Sequence, residues 1–313
     1  SQVGATEIGN NFLGYVIHHA PGPLLYVMPT IEAAKKTSKQ RIAPMIEDSP
    51  VLKYLVQEPR SRDSGNTILT KDFPGGIIML TGANSAVGLR SMPVRYLFLD
   101  EVDGYPVDVD SEGDPVMLAI KRTQTFNNTR KIFLVSTPTL KGFSRIEKAY
   151  LETDQQKYHV PCPHCNTLQT LNWSKIVWEN NDPSTAVVKC ESCKSSIPHS
   201  KKTWMLENGE WKSTSKSKNA KTVGFHLNAL YSPWQSWEKT VEEYLAAKDD
   251  PALLKSWTNT TLGETWDEPG TQVDSNMLYY RREEYKAEVP NDAVVITAGI
   301  DVQGDRLEAE AVG

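Results

Sequence analysis

Apolar residues in this chain fall into short unbroken runs, separated by stretches of helical periodicity. Leu24-Leu25-Tyr26-Val27-Met28, Tyr96-Leu97-Phe98-Leu99 and Ile132-Phe133-Leu134-Val135 show no alternation with polar residues. Runs of this length predict strands buried on both faces, as in a parallel sheet. Pro29 closes the first. Around them, Thr6 to His18, Ile31 to Ile46 and Val116 to Phe126 read as helices, the second with Lys and Arg on its polar face. Ile68-Leu69 and Ile77-Ile78-Met79-Leu80 are expected to pair as a hairpin across Pro74-Gly75-Gly76. Strands alternating with helices predict a doubly wound α/β domain over roughly the first half of the chain.

The pattern changes near Tyr158. Isolated tryptophans (Trp173, Trp178, Trp204, Trp211) and four cysteines suit small β-ribbons, and Ser- and Lys-rich Lys212 to Lys221 reads as a mobile loop. Helical character returns from Trp237 to Thr261, with Glu238, Glu242 and Glu243 facing Lys239 and Lys248. Val294 to Ile300 is a further apolar strand, ending in a carboxylate at Asp301. No internal repeat is visible.

At 313 residues the chain has room for two domains. A formal net charge of -5 argues against a uniformly basic nucleic-acid coat, but Lys189 to Lys221 carries eight lysines against Glu191, Glu207 and Glu210. No apolar stretch approaches the length of a membrane span and no signal peptide is visible, so a membrane partner is not expected. Both ends read as cut from a longer chain.

Two adjacent carboxylates, Asp100 and Glu101, end the Tyr96 run. Unpaired charges are costly at the edge of a core, so they should face a cation or a water-filled cleft at the C-terminal edge of the sheet. In nucleotide hydrolases the first carboxylate at such a position holds the Mg²⁺ shell and the second polarises the attacking water. Gln2-Val3-Gly4-Ala5-Thr6 precedes the first helix and resembles the tail of a phosphate-binding loop. There Gly4 lets backbone approach phosphate, the helix N-terminus points N–H groups at it, and the Thr6 hydroxyl binds Mg²⁺. Ala5 stands where that motif carries lysine. Either a lysine lies upstream of Ser1, or Ala5 is an inactivating substitution. Ser136-Thr137-Pro138 ends the strand Ile132 to Val135, where small hydroxyl residues can sense a γ-phosphate. Arg90 could reach a phosphate as an arginine finger.

Cys162-Pro-His-Cys165 and Cys190-Glu-Ser-Cys193 are two C-x₂-C knuckles, 24 residues apart. Four thiolates from two tight turns make the closed tetrahedral shell of a structural Zn²⁺, in a reducing compartment. His164 reads as a spectator. Asp301 is followed by Gln303-Gly304-Asp305, read as a tight turn, and a strand carrying Glu308 and Glu310. That is the opening hairpin of a ribonuclease-H-like fold, in which the first strand's Asp binds catalytic metal.

Together these residues resemble the large subunit of phage terminases of the GpA type. The resemblance covers nearly the whole chain. It rests on Gln2-Val3-Gly4, Tyr26-Val27-Met28-Pro29-Thr30, Leu97-Phe98-Leu99-Asp100-Glu101-Val102-Asp103, Ser136-Thr137-Pro138 and the cysteine knuckles, with Asn259-Thr260-Thr261-Leu262-Gly263 and Ala298-Gly299-Ile300-Asp301-Val302-Gln303. It implies Asp100 as the Mg²⁺-binding acid of a P-loop ATPase-type sheet, Glu101 as catalytic base, and Asp301 as a nuclease ligand for Mg²⁺ or Mn²⁺. It further implies ATP-driven movement of double-stranded DNA into a procapsid, with endonucleolytic cutting of concatemers. The partners implied are a small terminase subunit, the portal and other copies in a homo-oligomeric ring, in the host cell cytoplasm. The expected layout is an ATPase domain at 1–155, a zinc ribbon at 156–211, a partly helical linker at 212–290 and the start of a nuclease domain at 291–313. Two other readings stay open: a helicase or translocase without nuclease, and a zinc-containing nucleic-acid-binding scaffold with an inactive ATPase.

Overall fold

Strand–helix alternation organises the N-terminal half. In chain order it contains α1 (Ala5–His18), β1 (Leu24–Met28), α2 (Ile31–Thr37), α3 (Ala43–Asp48), α4 (Pro50–Leu55), β2 (Thr70–Phe73), β3 (Gly76–Gly82), α5 (Ala86–Arg90), β4 (Tyr96–Asp100), α6 (Pro115–Lys121), β5 (Lys131–Val135) and α7 (Arg145–Leu151). The computed structural model describes residues 3–56, 66–219, 221–268, 295, 297–302 and 307–312. The strands form one sheet in the order β2-β3-β1-β4-β5, in which β3, β1, β4 and β5 are parallel and β2 is an antiparallel edge.

The unbroken apolar runs follow from this layering. Leu24 and Tyr26 of β1 and Tyr96 and Phe98 of β4 pack against Leu13, Val16 and Ile17 of α1. Their alternates, Leu25, Val27, Leu97 and Leu99, pack against Leu89 of α5 and Ala119 of α6. Helices on both faces leave no polar side for the central strands, so alternation is lost. Contact between α1 and β4 depends on Gly9, where a Cβ would lie 2.2 Å from Phe98 Cζ. The helix expected at Ile31 to Ile46 is present as α2 and α3 joined by a π-helical turn, Ser38–Ile42.

The hairpin is present, but its first strand is Thr70–Phe73 rather than Ile68-Leu69. Phe73 pairs with Gly76 across a two-residue turn at Pro74-Gly75, where Gly75 has φ 83°; this register sets Thr70 opposite Met79. Leu69 extends the pairing by accepting from Leu80 N at 2.8 Å.

Small sheets follow: β6 (Gln156–Pro161), β7 (Leu168–Gln169), β8 (Ile176–Glu179), β9 (Asp182–Lys189) and β10 (Ser196–Pro198), then α8 (Lys202–Glu207), β11 (Glu210–Lys212) and β12 (Phe225–His226). β10-β9-β8 is one ribbon; β11-β6-β12, with β7 on β6, is the other. Two helices close this half, α9 (Trp237–Ala247) and α10 (Pro251–Trp257), the latter continuing into a π-helical turn, Thr258–Leu262. Val160, Val188, Met205, Trp237 and Val241 form a core of their own.

Part of the polar segment after β11, expected as a mobile loop, has backbone partners on the preceding elements. Thr214 N and Ser215 N both donate to Asp154 O at 3.1 Å, and Lys218 N donates to Glu152 O at 3.0 Å. Carbonyls at the end of α7 thus supply partners that composition does not reveal. Nor do the eight lysines of this region form one surface. Lys202 is buried, and its ammonium donates to Ser232 O at 2.6 Å and Gln235 O at 2.8 Å.

Glu268–Gly313 is a separate compact unit. It contains an antiparallel pair, β13 (Thr297–Val302) and β14 (Leu307–Val312). The strand expected to end at Ile300 runs on through Asp301 to Val302. Val294 and the Gln303-Gly304-Asp305 turn lie outside the described residues, as does the last part of the expected linker, 269–290.

Candidate functional site

Asp100 is the last residue of a strand buried at every position, and it is itself 1 % exposed. Its Oδ2 accepts from Tyr26 Oη at 3.1 Å and from Thr6 Oγ1 at 3.3 Å. Its Oδ1 is buried without a hydrogen-bond partner. Burial pushes the carboxyl above the usual range, while the Tyr26 and Thr6 hydrogen bonds act the other way. Tyr26, on β1, is buried completely, and its hydroxyl is pushed up first by burial and then by the nearby Asp100 charge. A bare buried carboxylate oxygen beside a threonine hydroxyl offers hard oxygen donors, so these residues fit a small divalent cation such as Mg²⁺.

Glu101 turns the chain out of the sheet. Its backbone is left-handed, φ 55° and ψ 51°, a conformation that costs a glutamate about 1–2 kcal/mol. This twist leaves Asp100 inside the core and sends Glu101 into the open, where Oε2 accepts from Ser136 Oγ and Thr137 N, both at 3.4 Å. Ser136 Oγ also accepts from Asp103 N at 3.1 Å. Asp103 crosslinks the following elements, its Oδ2 taking Thr139 N and Oγ1 at 3.0 Å and its Oδ1 taking Ile146 N at 2.8 Å. Arg145 fixes the same turn by donating to Asp114 Oδ2, Val102 O, Tyr105 O and Pro106 O.

The start of α1 faces the same cavity. Gly4 is left-handed, φ 87°, and caps the helix without a side-chain hydrogen bond. Val3, Gly4, Ala5, Thr6, Glu101, Ser136 and Thr137 line one open cavity, so the structure brings the loop, the second acid and the hydroxyl pair together. Free N–H groups of the first turn of α1 suit an anion there. Gln2 lies outside the described residues. Arg90 is not among the cavity's lining; its guanidinium pairs with Glu112 at 2.8 Å and Nε donates to Ala86 O. Sequence distance from Asp100 did not reveal that α5 turns Arg90 toward the loop carrying Glu112.

The two C-x₂-C knuckles meet. All four Sγ atoms lie within 4.8 Å of one another, with Cys162–Cys193 at 3.8 Å and Cys165–Cys190 at 3.7 Å. A tetrahedral zinc with Zn–S bonds of ~2.3 Å requires S–S edges of about 3.8 Å, so the donor set fits a closed metal shell. The knuckles are backbone copies. Asn166 N donates to Cys162 O and Lys194 N to Cys190 O, and both donors are left-handed, at φ 56° and 60°. His164 is outside the sulfur cluster and contributes only its N–H, to Cys162 Sγ at 3.4 Å.

In the separate C-terminal unit, Asp301 pairs with Glu308 and Gly299 with Glu310 along the β13–β14 ladder. Three residues that organise the main site were given no role by the sequence reading: Tyr26, Asp103 and Arg145. Only Tyr26 left a signal, as the one hydroxyl inside an otherwise apolar buried strand, where it needs a partner.

The model of the phage terminase large subunit gpA ATPase domain matches residues 1–211, and that of the terminase large subunit gpA endonuclease domain matches residues 222–313. The large terminase subunit of Enterobacteria phage P21 is 32% identical over 332 residues, covering 98% of this chain and 52% of that protein. That of Escherichia phage lambda is 30% identical over 337 residues, covering 100% of this chain and 52% of that protein. The chain thus spans about half the length of these curated relatives. Among solved structures, the large terminase ATPase domain of Thermus phage P74-26 aligns with TM-score 0.47 and 16% identity, over 84% of each chain. On the family matches, this chain belongs to the phage terminase large subunits of the gpA type.

Proposed function

We propose that this chain carries the ATP-hydrolysing motor of a DNA-packaging terminase, with the beginning of its nuclease. The observation that carries the reading is the pair at the end of β4: a buried Asp100 with one bare oxygen, and a left-handed Glu101 held by Ser136 and Thr137. Gly4 and the α1 N-terminus receive the phosphates of ATP. Thr6 and Asp100 hold Mg²⁺, which supplies neutralising charge when bound. Glu101 takes a proton from the attacking water, and Ser136 and Thr137 register loss of the γ-phosphate. Val3 and Ala5 contribute backbone to the phosphate loop, and Ala5 stands where this loop ordinarily carries its lysine.

The four cysteines hold one structural Zn²⁺. Asp301 binds Mg²⁺ or Mn²⁺ as the first ligand of a ribonuclease-H-like nuclease, supported by an antiparallel hairpin of the expected order. We keep the domain bounds 1–155, 156–211, 212–290 and 291–313 as sequence segments, the ribbon and the helical part of the linker sharing the core of Val160 and Trp237. Double-stranded DNA, a small terminase subunit, the portal of a procapsid and further copies in a ring are the partners, in the host cytoplasm. Contact with DNA is backbone-directed, because a motor must pass any sequence. The test is steady-state ATP hydrolysis by the full-length protein with Asp100→Asn and Glu101→Gln together. Loss of hydrolysis by at least ~100-fold with retained folding supports the reading. A normal rate overturns it.

A further inference from the structure

Asn259 lies 9 % exposed in the π-helical turn Thr258–Leu262, an irregularity that recurs at functional sites. Its Nδ2 donates to Thr139 O at 3.2 Å, across 120 residues of sequence. The same carbonyl accepts from Trp266 N at 2.9 Å, and Lys141 N returns a bond to Trp266 O at 3.0 Å. Leu140 and Trp266 thereby form a short parallel bridge, reinforced by the Lys141–Asp267 ion pair at 2.7 Å. On its other side, Thr139 gives both its N–H and its hydroxyl to Asp103 Oδ2. Thr139 is therefore gripped from two directions.

What Thr139 controls lies two residues upstream. Thr137 N and Ser136 Oγ hold Glu101 Oε2, and Pro138 between them and Thr139 has a fixed φ. A shift of the Thr139 carbonyl passes along this stiff segment to the Glu101 carboxylate. Asn259, Thr139 and Glu101 also line one cleft, which shares Glu101, Thr137 and Pro138 with the opening over Gly4. Asn259 Oδ1 is buried there without a partner, so the amide is held only through its donor.

We propose that Asn259 is a positioning residue for Glu101, acting through Thr139, whose carbonyl also receives Trp266 N from the last segment of this unit, 264–267. The inference rests on the ATPase reading above. It explains why an asparagine sits in a π-turn: an ordinary α-turn would shift its register, and leucine or alanine would offer no donor to the carbonyl.

The experiment uses the full-length protein, with Asn259→Asp as an isosteric change that removes the donor. Glu101→Gln alone comes first; if it hydrolyses ATP normally, the ATPase reading fails, and the inference with it. With that reading intact, N259D is expected to lower kcat about tenfold while KM for ATP and the melting temperature stay near wild type. Asn259→Ala, which removes the donor without adding charge, is expected to reproduce the split. Ser136→Ala and N259D act on the same carboxylate, so their combined loss should be no greater than about that of the worse single change. Losses that multiply, a rise in KM with kcat intact, or a normal kcat in both variants would overturn the proposal. If both variants unfold, the Asn259 bond is structural support alone, and the positioning role is lost.

Discussion

Tyr26 and Asp100 lie on adjacent parallel strands, both buried, and are joined by a 3.1 Å hydrogen bond from the phenol to the carboxylate. The bond fixes which oxygen of Asp100 is engaged and which stays bare. Tyr26→Phe keeps the packing and removes the donor. Partners that orient a metal-binding carboxylate typically contribute about 10–100-fold to metal affinity or activity. Tyr26→Phe should therefore raise the Mg²⁺ concentration for half-maximal ATP hydrolysis and lower kcat/KM by about that factor. An unchanged Mg²⁺ titration would show that Tyr26 only fills space.

Gly9 is the point where α1 meets β4. A methyl group there collides with the Phe98 ring, which is itself walled in by Tyr26 and Phe133. Overpacking of this kind costs about 1–3 kcal/mol. Gly9→Ala should lower the denaturation midpoint accordingly, and Phe98→Leu should relieve part of the loss. Strict additivity of the two changes would refute the contact.

The cysteine cluster makes a compositional prediction. Folded protein should contain about one zinc ion per chain by elemental analysis, and Cys162→Ser should abolish it. Cys162 and Cys190 also belong to the hydrophobic core that holds Val160, Met205 and Trp237. Loss of metal should therefore loosen that core, read as a large red shift of tryptophan emission. Metal-free protein with an unshifted spectrum and melting temperature would leave the knuckles without a metal role.

His226 gives a pH dependence with a defined sign. Burial holds its imidazole below the ordinary value of 6.5, with Lys157 pushing the same way and Glu264 against. Its Nε2 lies 3.0 Å from Gly263 O, which a neutral ring satisfies as donor. The unfolded chain takes up the proton at higher pH than the folded one. The stability contribution is thus complete above about pH 6.5 and is withdrawn as pH falls toward the folded pKa. His226→Gln keeps a donor but does not titrate, so its denaturation midpoint should fall less than wild type between about pH 7.5 and pH 5.5. Parallel curves would remove His226 as the cause.

The parts of the fold legible in sequence were those governed by burial. β1 and β4 were marked by apolar runs, and the Asp100-Glu101 step by the abrupt arrival of charge. The run Ile132 to Val135 marked β5 as a strand but not its place at the sheet edge, where Phe133 is exposed instead of buried on both faces. Parts governed by long-range hydrogen bonds were not. Nothing local to Arg90 announces Glu112 as its partner, and nothing in Lys212 to Lys221 announces the waiting carbonyls of Glu152 and Asp154. Asp103 entered the sequence reading only as the end of the Leu97 to Asp103 motif, yet it accepts from three donors on two other segments. Such roles depend on which turns the fold brings together, which neither period nor composition encodes.

The left-handed backbone at Glu101 sets chemistry against durability at a single position. Glycine would adopt that conformation without steric penalty, and asparagine more readily than glutamate. A chain selected only to persist would carry one of them. Keeping glutamate means that every folded copy stores a small amount of strain at the end of β4, and that the surrounding clasp from Arg145 and Asp103 must outweigh it. Loosening that clasp should let Glu101 relax before the sheet itself gives way. Heat or denaturant should then silence hydrolysis while most of the fold is still standing.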